Sequence, residues 1–192
     1  TLIGSTQVQG RASMGGNLCN ASPAADSVPA LIAARAVVVI VGPNGRREAP
    51  AEAIPTAPGQ TSLASGEFVL EIRLPPKPAR SADAYLRSIP RTEMDIAIVG
   101  AGVSLTVDAA GVITDARIAL GAVAPTVVLA DPVALIGSKL DAAALDRLDA
   151  AARAVCRPID DKRGTAEYRT KIAGVLARRS AQIAYQRATH QT

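Results

Sequence analysis

Aromatic side chains are almost absent from this chain of 192 residues. It contains no tryptophan, one phenylalanine and three tyrosines, although 48% of its residues are apolar. Alanine, valine, leucine and isoleucine must therefore fill its core, in one large domain or two small ones. Scarce aromatics also argue against nucleic-acid binding by base stacking, which uses aromatic platforms. We expect no nucleic-acid partner.

Histidine and cysteine are nearly missing as well. The one histidine, His190, is the third residue from the C-terminal end, and the two cysteines, Cys19 and Cys156, have no paired spacing. A histidine-based acid–base site, a Ser-His-Asp triad, and zinc or iron–sulfur ligation within this chain are therefore not supported. Unpaired cysteines are typical of a reducing cytoplasm. We predict no catalytic and no metal-binding residue, so any chemistry here must come from a cofactor.

Dense charge and long apolar runs are also lacking. The net charge of +4 comes from scattered arginines, and the nearest approaches to basic clusters are Arg46-Arg47 and Arg178-Arg179. We interpret both pairs as solvated surface rather than as a nucleic-acid site. Uncharged apolar stretches stay well below the roughly 18 residues that a membrane-spanning helix needs. The sequence predicts no membrane span.

Hydropathy patterns predict two structural units. In the first, we expect a helix, a buried strand, a turn, a returning polar strand and an extended loop over 28–35, 36–41, 43–45, 46–48 and 50–65. In the second, we expect strands over 68–74, 84–87, 96–107 and 112–123, with a hairpin connection at 108–111. Short connections of this kind favour an antiparallel sheet.

The remainder of the chain is predicted to be helical. Asp141 and Thr165 are suitable N-caps for two helices, and a shorter helical turn is expected around 132–136. We expect the first helix to bury Leu145, Leu148, Ala152 and Val155, and the second to bury Tyr168, Ile172, Val175, Leu176 and Ile183. These elements form a three-helix layer on the sheet, so the predicted fold class is α+β.

A glycine-rich segment over residues 13–26 is the clearest candidate for a binding site. Adjacent glycines tolerate positive φ and close approach to a ligand, and successive N–H groups can then converge on phosphate oxygens. Ser22 or Asp26 could cap the helix that follows. A plain structural turn explains the same residues, and physics alone leaves both interpretations open.

The order of the residues in this segment is more specific than its composition. Gly-Gly-Asn-Leu-Cys-Asn-Ala-Ser-Pro-Ala-Ala-Asp, residues 15–26, resembles the second FAD-contact segment of the flavoprotein (medium) subunit of molybdenum hydroxylases. That family includes carbon monoxide dehydrogenase, xanthine dehydrogenase and 4-hydroxybenzoyl-CoA reductase types. Further segments resemble the family in order and at similar spacing: 61–67, 71–75, 95–97, 116–126, 158–161 and 166–169.

The resemblance implies a division, a cofactor and partners. Residues 1–66 would form the C-terminal half of an α/β FAD-binding (PCMH-type) domain, and residues 67–192 a CO dehydrogenase flavoprotein C-terminal-like domain. FAD would receive electrons from [2Fe–2S] clusters on an iron–sulfur small subunit, which takes them from the molybdenum cofactor of a large subunit. NAD, a quinone or oxygen would accept them from FAD. The alternative is a non-catalytic assembly module that docks partner subunits without flavin.

The family's cofactor-contact positions fall on a short set of residues here: Ser13, Gly15, Gly16, Asn17, Asn20, Asp26, Leu63 and Arg87. Simpler roles are open for some of them. Asn17 could favour a turn, Asp26 could cap a helix, Leu63 could be ordinary core, and Arg87 could be an exposed strand arginine rather than a cation near the flavin. We interpret Cys19 as filler.

The chain also departs from the family pattern. An earlier Gly-rich loop of the Ala-Gly-Gly-Thr type, and the family's Arg-Asn before the Gly-Gly segment, have no counterpart here; Gln9-Gly10 stands at the latter position. The resemblance therefore implies a piece of a longer subunit.

Overall fold

A computed structural model describes residues 3–91 and 94–190 of the chain. The first part of the chain contains α1 (Thr6–Gln9), α2 (Met14–Cys19), α3 (Ser27–Ala33), β1 (Val37–Gly42), β2 (Gly45–Pro50), β3 (Pro55–Ala57), β4 (Gln60–Thr61) and β5 (Phe68–Arg73). The second part contains β6 (Ser81–Ser88), β7 (Val99–Val107), β8 (Ile113–Gly121), β9 (Val128–Ala130), α4 (Ala142–Ala154) and α5 (Ala166–Thr189). Single 3-10 turns occupy Ala51–Ala53 and Pro132–Ala134.

The first part is built on a three-stranded antiparallel sheet in the order β2-β1-β5. Val38 and Ile40 of β1 pack with α3 in one buried cluster, as expected of a β-branched central strand. Val69 and Ile72 of β5 pack against the same cluster. Strand β5, which the sequence pattern grouped with the second unit, thus extends the first sheet.

The second part is built on a four-stranded antiparallel sheet in the order β6-β7-β8-β9. Alternation along β7 sends one set of side chains into the cluster shared with α4 and α5: Val99, Ala101, Val103, Leu105 and Val107. The intervening residues Gly100 and Gly102 lie on the opposite face, where α3 from the first part packs. The sheet therefore has α4 and α5 on one side and α3 on the other.

Several local predictions are confirmed. The β7–β8 connection is a tight turn at Asp108–Gly111. Asp141 accepts a hydrogen bond from the Ala144 N–H at 2.8 Å, and Thr165 accepts one from the Tyr168 N–H at 3.2 Å, so both are N-caps. The α+β class with its antiparallel sheet is also confirmed. The third member of the helix layer is only the 3-10 turn Pro132–Ala134.

The buried face of α5 agrees with the prediction only in part. Leu176 is buried and Ile172 and Ile183 are half-buried against the same core, as predicted, but Tyr168 is 43% exposed. The residues that are fully covered are all small: Ala173, Ala177, Ser180, Ala181, Ala184 and Ala188. Small side chains let the helix axis come close to β6 and β7, and the Ser180 hydroxyl donates to the Ala101 carbonyl at 3.1 Å. Alanine packing is how this protein builds a core with so few aromatics. Among the described residues, no helix is both long and apolar enough to cross a membrane.

Arg169, in the family-like segment 158–169, connects the start of α5 to the second sheet. The Arg169 side chain is buried, and its guanidinium donates to the Ile98 carbonyl at 2.7 Å and to the Asp161 carboxylate at 2.8 Å. Ile98 lies just before β7, so Arg169 ties the start of α5 to that strand. These family-like residues have a structural role.

The Arg47–Glu67 ion pair leads to a prediction on pH. Arg47 donates to both carboxylate oxygens of Glu67 at 2.7 Å, and the Ala64 N–H donates to one of them at 2.8 Å. These bonds, with that from Arg47 first, lower the pKa of Glu67 from 4.5 to about 2. A carboxyl group with a lowered pKa stabilises the folded state above its unfolded pKa, and this contribution disappears as pH falls towards the folded value.

Glu67→Gln should therefore destabilise the protein at pH 7, and the difference from wild type should shrink between pH 4.5 and about 2. Urea unfolding at several pH values measures this difference. Arg47→Gln is the matched variant and should lose most of the same pH-dependent increment. A constant wild-type-to-variant difference across this range would contradict the prediction.

Candidate functional site

The Gly-Gly segment is helical, which corrects the expectation of an open nest. Gly15 and Gly16 lie in the first turn of α2, and neither has the positive φ found at Gly45 or Gly59. Ser13 is the N-cap, and its hydroxyl accepts the Gly16 N–H at 3.0 Å. A side-chain cap thus converts the predicted loop into a short helix whose first N–H groups point out of its start.

Limited space, rather than backbone angle, explains the glycine at position 16 but not the one at position 15. A Cβ at Gly16 would lie 3.0 Å from the Ser13 hydroxyl oxygen and would press on the cap. A Cβ at Gly15 would meet only Val69, at 4.0 Å. Gly16 is therefore required for the capped start of α2, whereas Gly15 leaves its surroundings open.

Asn17 connects α2 to α3. Its side-chain oxygen accepts from the Ser27 hydroxyl at 2.6 Å and from the Ser27 N–H at 3.3 Å. Asn17, rather than Ser22 or Asp26, therefore satisfies the start of α3, and Asp26 makes no side-chain capping bond there. Asn20 is the exposed C-cap residue of α2.

Asp26 and Arg87 bind each other. The Arg87 guanidinium donates to one Asp26 carboxylate oxygen, and the Tyr85 hydroxyl donates to the other at 3.0 Å. The two charged side chains are only 12% and 11% exposed. Tyr85 and Arg87 share a face of β6 because side chains alternate along a strand, and that face looks towards α3. Arg87 is thus not an exposed strand arginine.

Burial dominates the electrostatics of this cluster. It raises the pKa of the Asp26 carboxyl, while the Arg87 charge and the hydrogen bonds from Tyr85 and Arg87 act in the opposite direction. Burial and the nearby Asp26 charge also raise the pKa of the Tyr85 hydroxyl, which therefore remains a hydrogen-bond donor.

The remaining predicted positions are spread out. Leu63 is half-buried and packs against the core of the first part. Cys19 is partly buried, and burial raises the pKa of its thiol; the same cause raises the pKa of Cys156 to about 11. Both thiols are protonated at neutral pH, which agrees with the interpretation of Cys19 as filler.

A cleft brings part of the predicted set together. It has a volume of about 500 Å³ and is lined by Ile3, Gln9, Ala12, Ser13, Met14, Asp26, Ser27, Ala30 and Tyr85. A neighbouring cavity of about 260 Å³ shares Met14, Ser27, Ala30 and Tyr85 with it. The cleft therefore runs between the start of α2, the side of α3 and strand β6. Its volume lies in the range of about 300–1,000 Å³ typical of ligand sites.

Comparison with known proteins identifies the family. Residues 84–184 match the model of the CO dehydrogenase flavoprotein C-terminal domain, and residues 1–77 match that of the FAD binding domain in molybdopterin dehydrogenase. The chain belongs to the FAD-binding subunits of the molybdenum hydroxylase family. The first of these matches alone covers more than half of the chain.

Named relatives agree with this assignment. The carbon monoxide dehydrogenase medium chains of Afipia carboxidovorans and Hydrogenophaga pseudoflava are 35% and 33% identical over 97% of this chain. A solved carbon monoxide dehydrogenase from Hydrogenophaga pseudoflava superposes with a TM-score of 0.92 at 35% identity, over 97% of this chain and 65% of that one. The chain spans 65% of the length of both medium chains.

Tyr85 is the residue of this site that sequence reasoning missed. It lines both cavities and binds Asp26, yet it is absent from the predicted contact positions. Its position two residues before Arg87 places both side chains on one face of β6, and this spacing was the available signal.

Proposed function

We propose that this protein holds FAD in the cleft between α2, α3 and β6, as the electron-transferring medium subunit of a molybdenum hydroxylase. The observation that carries the proposal is that Asp26 and Tyr85, which bind each other, lie on the cleft wall together with Ser13 at the capped start of α2, and that Arg87 binds Asp26. A helix start favours anionic groups such as a diphosphate, and a carboxylate accepts hydroxyl hydrogens. The donors and acceptors present therefore fit FAD.

Each predicted residue has a defined place in this proposal. Ser13 and Gly16 hold the start of α2 where its free N–H groups can meet phosphate oxygens. Asn17 fixes α2 against α3, and Asp26 offers acceptors to cofactor hydroxyls. Gly15 leaves room for close approach, Asn20 closes α2, Leu63 packs against the core of the first part, and Arg87 binds the Asp26 carboxylate. Bound FAD would supply one- and two-electron transfer.

The partners and the electron route are part of the same proposal. Electrons would arrive from [2Fe–2S] clusters on an iron–sulfur small subunit, fed by a molybdenum-binding large subunit, and would leave to NAD, a quinone or oxygen. Named relatives are medium chains or FAD-binding subunits, which supports this route over a flavin-free assembly module. A cytoplasmic location stays a prediction.

A division of the chain into two units is likewise proposed. The predicted boundary lies at 66/67, with an FAD-binding portion before it and a C-terminal domain after it. Pairing of β5 with β1 favours a boundary beyond Arg73, because a strand belongs with the sheet whose hydrogen bonds it completes.

Binding of FAD to the purified protein, followed by flavin fluorescence quenching, tests the proposal. Gly16→Val should weaken binding about tenfold, since the added side chain presses on the Ser13 cap, and a tenfold loss (about 1.4 kcal/mol) lies within the about 0.5–2 kcal/mol that capping bonds are worth. Gly10→Ala is the matched control, because a Cβ there meets nothing closer than 3.8 Å. Equal affinity of both variants would refute the role of α2, and a purified medium subunit that contains this chain and binds no flavin would refute the proposed function.

A further inference from the structure

The Tyr85 side chain lies in space that is free only because residue 100 on the adjacent strand is glycine. A Cβ at Gly100 on the adjacent strand would lie 2.7 Å from the Tyr85 hydroxyl oxygen and 3.2 Å from its ring. Any larger residue at position 100 of β7 would clash with the Tyr85 side chain, which packs over this strand. From there the hydroxyl reaches Asp26 at 3.0 Å.

The Asp26 carboxylate is only partly used by its two protein donors. One oxygen accepts from Tyr85 and the other from Arg87. An ionised carboxylate has about four lone-pair sites, so acceptor capacity remains on both oxygens. Asp26 and Tyr85 both line the cleft of about 500 Å³. The carboxylate is therefore oriented from β6 while it can still accept hydrogen bonds from a ligand.

We infer that Tyr85 is a positioning residue, which holds the Asp26 carboxylate oriented to accept hydrogen bonds from the polyol hydroxyls of FAD. The inference rests on the proposed function, and it adds a residue and a ligand group to that site. Arg87 supplies the charge opposite to that of Asp26. Tyr85 orients the Asp26 carboxylate, because the tyrosine ring packs against Gly100 and its hydroxyl binds one carboxylate oxygen. Its hydrogen bond also opposes the rise that burial causes in the Asp26 pKa.

Tyr85→Phe separates positioning from packing, since it keeps the ring and removes the hydroxyl. FAD affinity should fall about tenfold, as expected for loss of a hydrogen bond to a charged group. The Asp26 pKa, followed by carboxyl carbon NMR without FAD, should rise. Tyr185→Phe is the matched control: its hydroxyl donates to the Gly111 carbonyl at 2.8 Å, away from the cleft, and neither readout should move.

The double variant decides whether Tyr85 acts through Asp26. In an Asp26→Ala background no carboxylate remains to be positioned, so Tyr85→Phe should change FAD affinity less than about twofold. A tenfold loss in that background, or an unchanged Asp26 pKa in Tyr85→Phe, would overturn the inference. Unchanged FAD affinity in Tyr85→Phe with weaker binding in Asp26→Ala would overturn it while leaving the proposed function intact. Wild-type affinity in Asp26→Ala would overturn both the inference and the proposed use of Asp26.

Discussion

Asp26→Ala is expected to cost this protein about 3 kcal/mol of unfolding free energy, the low end for breaking a buried ion pair. The change leaves the Arg87 guanidinium, which is only 11% exposed, without its anion, and leaves the Tyr85 hydroxyl without its acceptor. Urea unfolding of the purified protein measures the loss, and an unchanged slope would show that the unfolded state is not affected.

Asp115→Ala is the matched control for this prediction. Asp115 also pairs with an arginine between the two parts of the chain, at 2.6 Å from Arg35, but the two side chains are 55% and 46% exposed. Exposed pairs contribute about 0–1 kcal/mol because water screens them. If both variants lost the same stability, burial of the Asp26–Arg87 pair would not be the reason for its effect.

Gly102→Ala is expected to destabilise the protein by about 2–3 kcal/mol, although it adds one methyl group. A Cβ at this position would lie 2.6 Å from the Pro29 carbonyl oxygen and 2.9 Å from its carbon. These atoms are backbone of α3, so they cannot rotate away as a side chain could. The helix would have to move off the sheet, which would also widen the cleft along α3.

Thermal or urea unfolding of Gly102→Ala, beside Gly10→Ala, checks this result. Gly10 ends α1, and its added Cβ would have only contacts of 3.8 Å, so we expect a change within about 0.5 kcal/mol. Alanine is favoured over glycine in most strand contexts. A neutral or stabilising Gly102→Ala would therefore show that α3 does not press on β7 as the structure indicates.

Local signals predicted much of the second part of the chain. Alternating and continuous apolar runs marked β7 and β8, the Asp108–Gly111 turn joined them, and Asp141 and Thr165 marked two helix starts. Strand alternation, turns and helix caps depend only on residues that are a few positions apart, so the local sequence pattern contains the necessary information. The family likewise followed from segments whose order and spacing can be read along the chain.

Features that depend on distant residues were predicted poorly. The alanine face of α5 was missed because alanine carries little hydrophobic signal, and only the close approach to β6 and β7 shows its use. The Gly15-Gly16 segment became a helix once the Ser13 hydroxyl capped it, against the low helix propensity of glycine. Strand β5 was predicted in the wrong unit because its pairing partner, β1, lies about 30 residues earlier in the chain, beyond the reach of a local pattern.

The sequence by itself determined the family and the α+β class, since these depend on composition, periodicity and the order and spacing of motifs. Of the predicted contact positions, Ser13 and Asp26 line the cleft and Arg87 binds Asp26, whereas Tyr85 was not predicted. Only the tertiary structure decided what those residues do to one another. Asp26 and Arg87 lie 61 positions apart, and Asp26 and Tyr85 59 apart, yet they form one cluster. Their meeting requires α3 to pack on the face of the second sheet that Gly100 and Gly102 leave open. No local pattern encodes a contact of that range, because it is the packing of two separate elements that creates it.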